Sequence, residues 1–221
     1  MMKNLPEFIT FTGVDDLTDP SGLVELTEQY PIEWGLLFSP KNQGMGGRYP
    51  SLKTIERLVR ELPLRWSAHL CGDDAKEVIR TGISRHDYIL EPFFVRAQIN
   101  TADPNVNPDA IRHWAENRGL RGILQCRKAF PNVRSVDMLF DASGGRGILP
   151  GHWPVASQST FCGYAGGLRP KNVADAVQTI QTVASRYWID METGIRDDSD
   201  KFSLALCRQV CEAVYGDGAR R

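Results

Sequence analysis

The fold turns on residues 160–195, which read TFCGYAGGLRPKNVADAVQTIQTVASRYWIDMETGI. An apolar run, Thr160–Tyr164, gives way to Ala165-Gly166-Gly167, and a second apolar run, Tyr187–Met191, ends in Glu192-Thr193-Gly194-Ile195. Between them Val173, Ala176, Val177, Ile180, Val183 and Ala184 recur at helical spacing. One stripe of a helix over Pro170–Ser185 therefore faces a core, and Pro170 falls in its first turn, where a missing N–H costs nothing. Short buried strand, helix, short buried strand is a parallel βαβ unit.

The same alternation continues toward both ends of the chain. Strands are predicted near Phe8–Val14, Ile32–Phe38, Leu64–Leu70, Phe93–Ile99, Gly122–Cys126 and Val136–Asp141, which with the two above makes eight. Further helical patterns fit best at Ser51–Glu61, Asp73–Thr81, Pro108–Asn117 and Ser199–Val214, the last with Asp198, Ser199 and Asp200 as a cap and an acidic first turn. The fifth and sixth strands are joined by about ten residues that include Pro131, too few for a full helix. The glycines and prolines are spread as punctuation and mark no linker. Eight such units in 221 residues predict one α/β domain over 1–221, a (β/α)8 TIM barrel.

Composition narrows the function. Lys plus Arg number 26 against 27 Asp plus Glu, a net charge of -1 with no basic block, so nucleic acid and acidic membrane surfaces are poor partners. No apolar run approaches the roughly 18 residues of a membrane span, and the opening MMKNLPEF lacks a basic segment followed by an apolar one, which predicts a cytoplasmic protein. Cys71, Cys126, Cys162, Cys207 and Cys211 are odd in number and three lie in strand-like runs, so reduced, mostly buried thiols are expected. Cys207 and Cys211 offer two soft ligands without companions, so neither a metal nor another cofactor is expected. What remains is a monomer or homodimer acting on a small molecule.

On a barrel of this kind chemistry belongs where strands end. The glycines after the seventh and eighth strands, Gly166 and Gly167 with Thr193, Gly194 and Ile195, would let backbone N–H groups approach a phosphate, or they merely make tight turns. Asp141 ends an apolar strand. Desolvation there favours a protonated carboxyl able to act as general acid, and the alternative is a carboxylate that caps its own loop or pairs with Arg146. Arg48, at the base of the long loop from Ser39 to Pro50, suits bidentate recognition of a substrate carboxylate, or a structural ion pair. His69 and Cys71 end the third strand and Cys126 the fifth. His69 is either a functional imidazole or a hydrogen-bonded structural one.

Taken in order, these residues resemble the phosphoribosylanthranilate isomerase family. Thr10-Phe11-Thr12-Gly13 stands where that family has K-x-C-G; Gly47-Arg48-Tyr49-Pro50-Ser51 where it has S-P-R-Y-V-S; Gln98-Ile99-Asn100 where it has Q-L-H. Leu139-Phe140-Asp141-Ala142 followed by Gly144-Gly145-Arg146-Gly147 matches L-L-D-A and G-G-x-G, Ala165 through Val173 matches A-G-G-L-x-P-x-N-V, and Asp190 through Arg196 matches D-x-S-S-G-V-E. The resemblance implies an Amadori rearrangement of a phosphorylated aminoaldose, with Asp141 as general acid and Arg48 on the substrate carboxylate; Gln98 and Asn100, from the matched fourth strand, and His69, from its place at a strand end, are the other candidate substrate contacts.

Two departures matter. Thr12 replaces the general-base Cys, and a hydroxyl cannot shuttle a proton near neutral pH as a thiolate does. Glu192 replaces the first Ser of S-S-G, where it repels a phosphate unless Arg196 or a proton neutralises it, serves as a replacement base, or recognises a neutral or cationic group. The expectation is an isomerase or related proton-transfer enzyme on a small phosphorylated sugar derivative, drawing on Asp141, Thr12 and Glu192, and not an efficient phosphoribosylanthranilate isomerase. The alternative is a non-catalytic, ligand-binding or regulatory relative.

Overall fold

A computed structural model describes residues 4–101, 103–157 and 160–217. Eight strands close into a parallel barrel in sequence order: β1 (Ile9–Thr12), β2 (Ile32–Phe38), β3 (Trp66–Leu70), β4 (Arg96–Ile99), β5 (Arg121–Cys126), β6 (Asp137–Asp141), β7 (Cys162–Ala165) and β8 (Tyr187–Met191). The last strand returns to the first, Ile9 beside Ile189 and Phe11 beside Met191. The predicted (β/α)8 barrel is the observed fold, and all eight strands lie where the apolar runs placed them.

The helices differ in detail. Those observed are α1 (Pro20–Gln29), α2 (Leu52–Glu61), α3 (Asp73–Thr81), α4 (Asp87–Phe93), α5 (Pro108–Glu116), α6 (Val173–Val183) and α7 (Leu204–Tyr215). Helix α6 begins three residues after Pro170, which stays in the preceding turn. Helix α7 starts later than Ser199, because Ser203 is its cap, accepting from Leu206 N. The Asp198-Ser199-Asp200 run instead lies in a turn whose centre is Asp197 Oδ1, accepting from Ser199 N and Lys201 N. Phe93, expected in the fourth strand, closes α4.

Among the described residues no helix joins β5 to β6 or β6 to β7. Aromatic rings cover that sector: Phe130, Phe140, Trp153 and Tyr164 meet edge to face at 5.4–6.3 Å. Such pairs add stability beyond the area they bury.

Inside, the barrel is not the usual aliphatic stack. At its amino-terminal end Phe8, Phe161 and Trp188 fill the bore. Gly163 admits the indole, since a methyl group there would fall 2.2 Å from the Trp188 ring. Next comes a belt of buried charge. Glu33 accepts from Thr10 Oγ1 at 3.0 Å, Arg65 Nε at 2.9 Å and Arg96 Nη1 at 3.1 Å, and Asp137 takes Arg121 Nε at 2.8 Å with Arg96 Nη2 at 3.6 Å. The Arg96 guanidinium also lies 4.0 Å from the Trp188 ring centre. Ions taken out of water persist only when paired in this way. Above the belt the bore opens. No helix among the described residues is long and apolar enough to cross a membrane.

Candidate active site

The opening is a cavity of about 70 Å³ at the carboxyl ends of the strands. Its wall brings together Thr12, His69, Gln98, Asn100, Asp141, Gly166, Gly167, Glu192, Thr193 and Gly194, all singled out in the sequence. Arg48 and Ile195 are not on it. Ile195 is fully buried beneath the rim, and Arg48 meets the wall through its ion pair with Glu192.

Three side chains on alternate, inward-facing positions meet at the floor. Thr12 Oγ1 donates to Asp190 Oδ1 at 2.9 Å and lies 3.5 Å from His69 Nε2, which is 4.0 Å from Asp190 Oδ2. Gly35, paired with Thr12 across β1 and β2, leaves room for the hydroxyl; a methyl group on Gly35 would fall 2.6 Å from it. Burial raises the Asp190 carboxyl well above the ordinary carboxylate range, against the Thr12 hydrogen bond that favours the charged form. Burial, aided by the Arg96 charge, lowers His69 to about 3, so its imidazole is neutral. Asp190 is the residue the sequence reading passed over. Its signal is a carboxylate two positions after Trp188 on the same face of an apolar strand.

The neighbouring thiols are not poised for nucleophilic chemistry. Burial pushes Cys71 and Cys126 each up to about 12. Asn100 Nδ2 lies 3.1 Å from Cys71 Sγ, and Gln98 Nε2 donates to Asn100 Oδ1 at 2.7 Å. Gln98 Oε1 is left buried on the cavity wall without a partner. All five cysteines are free. Among the described residues no three His, Cys, Asp or Glu side chains gather as a metal ion requires.

Asp141 lines the opposite wall and caps its own loop. Its Oδ1 accepts from Ser143 N at 3.0 Å and Ser143 Oγ at 2.8 Å, and its Oδ2 from Gly145 N at 2.6 Å. Arg146 is not its partner, since its Nε donates to Ser143 O.

The ion pairing at the rim differs from the pairing the sequence suggested. Glu192 is neutralised by Arg48, whose Nη1 lies 2.5 Å from Glu192 Oε1 while its Nη2 reaches Asp200 Oδ1 at 2.9 Å. Burial nonetheless raises the Glu192 carboxyl above its usual value. Arg196, the other expected partner, makes its hydrogen bonds to Gly13 O at 2.9 Å, Asp15 Oδ2 at 3.1 Å and Asp200 O, and its charge acts on Glu192 without a direct ion pair.

The glycine loops pack against chain. Gly166 and Gly167 have φ of +113° and +63°, and a methyl group on Gly167 would fall 2.4 Å from Leu149 N. One on Gly194 would fall 1.8 Å from Leu168 O. These glycines are thus required by the close approach of Ile148–Leu149 and Leu168, and all three still line the cavity.

With this geometry in hand, the chain was compared with known proteins. No family model matches it, and no curated protein does. Solved structures do. The phosphoribosyl anthranilate isomerase of Thermotoga maritima superposes with a TM-score of 0.62 at 14% identity, over 94% of this chain and 98% of that one. TrpF from Jonesia denitrificans gives 0.61 at 18% identity, over 97% and 99%. The 3-hexulose-6-phosphate synthase of Salmonella typhimurium gives 0.55 at 10%, over 94% and 98%. The likeness is one of fold. Its coverage is nearly complete in both directions, so the barrel here is built to the same extent as in those proteins.

Proposed function

We propose that the chain is a proton-transfer enzyme of isomerase type, acting on a small hydroxylated carbonyl compound held in the barrel mouth. The observation that carries this reading is the floor of the cavity, where a carboxyl raised by burial, a hydroxyl and a neutral imidazole meet within 4.0 Å. A carboxyl tuned upward gives and takes a proton nearer neutrality than an exposed one, and a neutral imidazole can donate to a developing oxyanion without first losing a charge. Thr12 holds Asp190 in place and is not itself the base. Asp141, across the cavity, is the acid that the resemblance implies, with its carboxyl plane fixed by three loop donors. Glu192 is the second candidate base, at the rim.

A phosphorylated sugar derivative remains the expectation from the resemblance, with Gly166, Gly167, Thr193 and Gly194 on the cavity wall where it would bind. Efficient phosphoribosylanthranilate isomerase turnover is not part of the proposal: the thiol is missing, and Arg48 already holds two carboxylates of its own chain. The engagement of both Asp141 oxygens by its loop favours the second reading, a ligand-binding relative without chemistry.

Deuterium exchange distinguishes the two. Glyceraldehyde, dihydroxyacetone, ribose and ribose 5-phosphate are incubated with the protein in D2O, and incorporation beside the carbonyl is followed by proton NMR. The expected result is exchange with at least one compound, slowed about 10²–10⁴-fold in Asp190→Asn. No exchange with any compound, or equal exchange by the variant, overturns the enzymatic reading.

A further inference from the structure

The geometry points to a second ligand site, outside the mouth: an apolar hollow on the flank of the barrel that takes a small organic anion with an apolar tail, of the medium-chain carboxylate class. It stands whether or not the mouth turns over a substrate.

The hollow follows from the missing helices between β5 and β6 and between β6 and β7. Leu139 and Asp141 of β6 line the cavity inside the barrel, so Phe140 between them points outward, where a helix would ordinarily cover it. Here two loops cover it in part. They leave a space of about 620 Å³ with Phe130 and Phe140 as its floor and Pro150, Pro154 and Val155 along its side. That volume falls within the roughly 300–1,000 Å³ of small-molecule pockets. Its walls are tied to the barrel. Tyr164 Oη donates to Pro154 O at 2.9 Å and its ring meets Phe130 edge to face at 5.4 Å, while Ala156 N donates to Val183 O at 2.9 Å. Val155, on the side wall, is 73% exposed, apolar surface that gains by being covered.

The charge of the rim says what covers it. Arg127, Lys128 and His152 border the hollow, and no Asp or Glu does among the described residues. Neither Arg127 nor Lys128 has a hydrogen bond or ion pair among the described residues. Arg127 is nonetheless held in place. Its guanidinium rests on Gly144, whose φ is +61°, and a methyl group on that glycine would fall 2.4 Å from Arg127 Nη1. A guanidinium fixed by packing, with its donors unspent, is prepared to take a carboxylate in a bidentate grip. The carboxylates of the neighbourhood are otherwise engaged. Asp141 is spent on its own loop, and Asp103 lines a separate hollow that Arg127 and Lys128 also border, where its Oδ1 accepts from Asn105 N at 2.9 Å. An anionic head at Arg127 and Lys128 leaves an apolar tail lying over Phe130 and Phe140.

The test uses octanoate, 1-octanol, octylamine and acetate, each titrated into the full ¹⁵N-labelled chain at pH 7 and followed by backbone amide shifts. Octanoate is expected to bind at least ten-fold more tightly than the other three, with shifts at Ala129, Phe130, Ala142 and Gly151 and none at Thr12, Gly166 or Thr193. In Arg127→Gln, an exposed position, octanoate affinity should fall at least five-fold while that of 1-octanol stays within two-fold. In Val155→Asp, which sets a carboxylate beside the tail, octanoate binding should be lost. Equal or tighter binding of 1-octanol or octylamine overturns the proposal, because the rim charge would then select nothing. Octanoate shifts confined to the mouth, an Arg127→Gln chain that binds octanoate as the parent does, or no shifts at 100-fold the concentration of the protein overturn it too. Analytical ultracentrifugation supplies the last check: a ligand-free dimer that Val155→Asp breaks would mean that a second copy of the chain covers the hollow, which also overturns it. Deuterium exchange at the mouth is a separate readout, so this site and the enzymatic reading can fail independently.

Discussion

Thr12 and Asp190 join the first strand of the barrel to the last through a hydrogen bond of 2.9 Å, and the same bond forms the floor of the cavity. Closure of the sheet and construction of the site are one contact.

Thr12→Val keeps the shape of the side chain and removes the donor. Asp190 Oδ1 is then buried without its partner, and urea unfolding at pH 7 should show a loss of about 1–3 kcal/mol. A change below a few tenths of a kcal/mol would mean that water replaces the hydroxyl.

The two titrating groups of the floor have opposite signs. The native state holds a proton on Asp190 more tightly than the unfolded chain does. Its contribution is therefore fully present below 3.8, the model-peptide value, and lost as pH rises through the raised native value. Asp190→Asn should gain stability relative to the parent as pH rises. A difference between the two that stays constant from pH 4 to 8 would exclude the shift.

His69 behaves the other way. Its value is about 3 in the native state against 6.5 in the unfolded chain, so its contribution is present above 6.5 and lost as pH falls toward 3. At about 1.4 kcal/mol per unit, the parent should lose several kcal/mol relative to His69→Gln across that window. The check is the gap between the two urea midpoints, measured at intervals from pH 7 down to 4.

At the rim, a double-mutant cycle on Arg48→Ala and Glu192→Gln should return a coupling energy of about 0.5–3 kcal/mol. Additive effects would show that the 2.5 Å ion pair contributes nothing in solution.

Arg96→Met leaves Glu33 and Asp137 facing each other in the bore without the cation between them. The expected cost is about 3–5 kcal/mol in thermal or urea unfolding. Arg65 and Arg121, which enter the bore from the outside, can take up part of that charge, and a cost below 1 kcal/mol would show that they do.

The strands were legible because parallel strands covered on both faces read as unbroken apolar runs. Helices α1 and α4 were not. The first carries Gly22, needed where α1 crosses Leu204 of α7, and buries only two leucines; the second is seven residues long and contains Pro92. The acidic run before α7 imitates a cap, and only the fold shows that Asp197 uses it to make a turn. For the mouth, polar residues at strand ends could be seen one by one. Their partners could not, since Arg48 and Glu192 are 144 residues apart and Arg96 and Glu33 are 63 apart. Nothing local in either sequence environment announces such a pair. Asp190 escaped for a related reason: its importance comes from burial beside Thr12, a neighbour 178 positions away.

That separation also bears on how the molecule comes to exist. Contacts between β1 and β8 are among the most distant the chain makes, and loop closure over such a span is slow to pay back. Until β8 docks, the sheet has two free edges, which are open to pairing with other chains. The carboxyl, hydroxyl and imidazole of the floor come from residues 190, 12 and 69, so no partly folded form contains the site. A ligand of the mouth would therefore recognise the finished barrel alone, lowering the equilibrium population of open-edged forms by mass action while leaving the rate at which β8 docks unchanged.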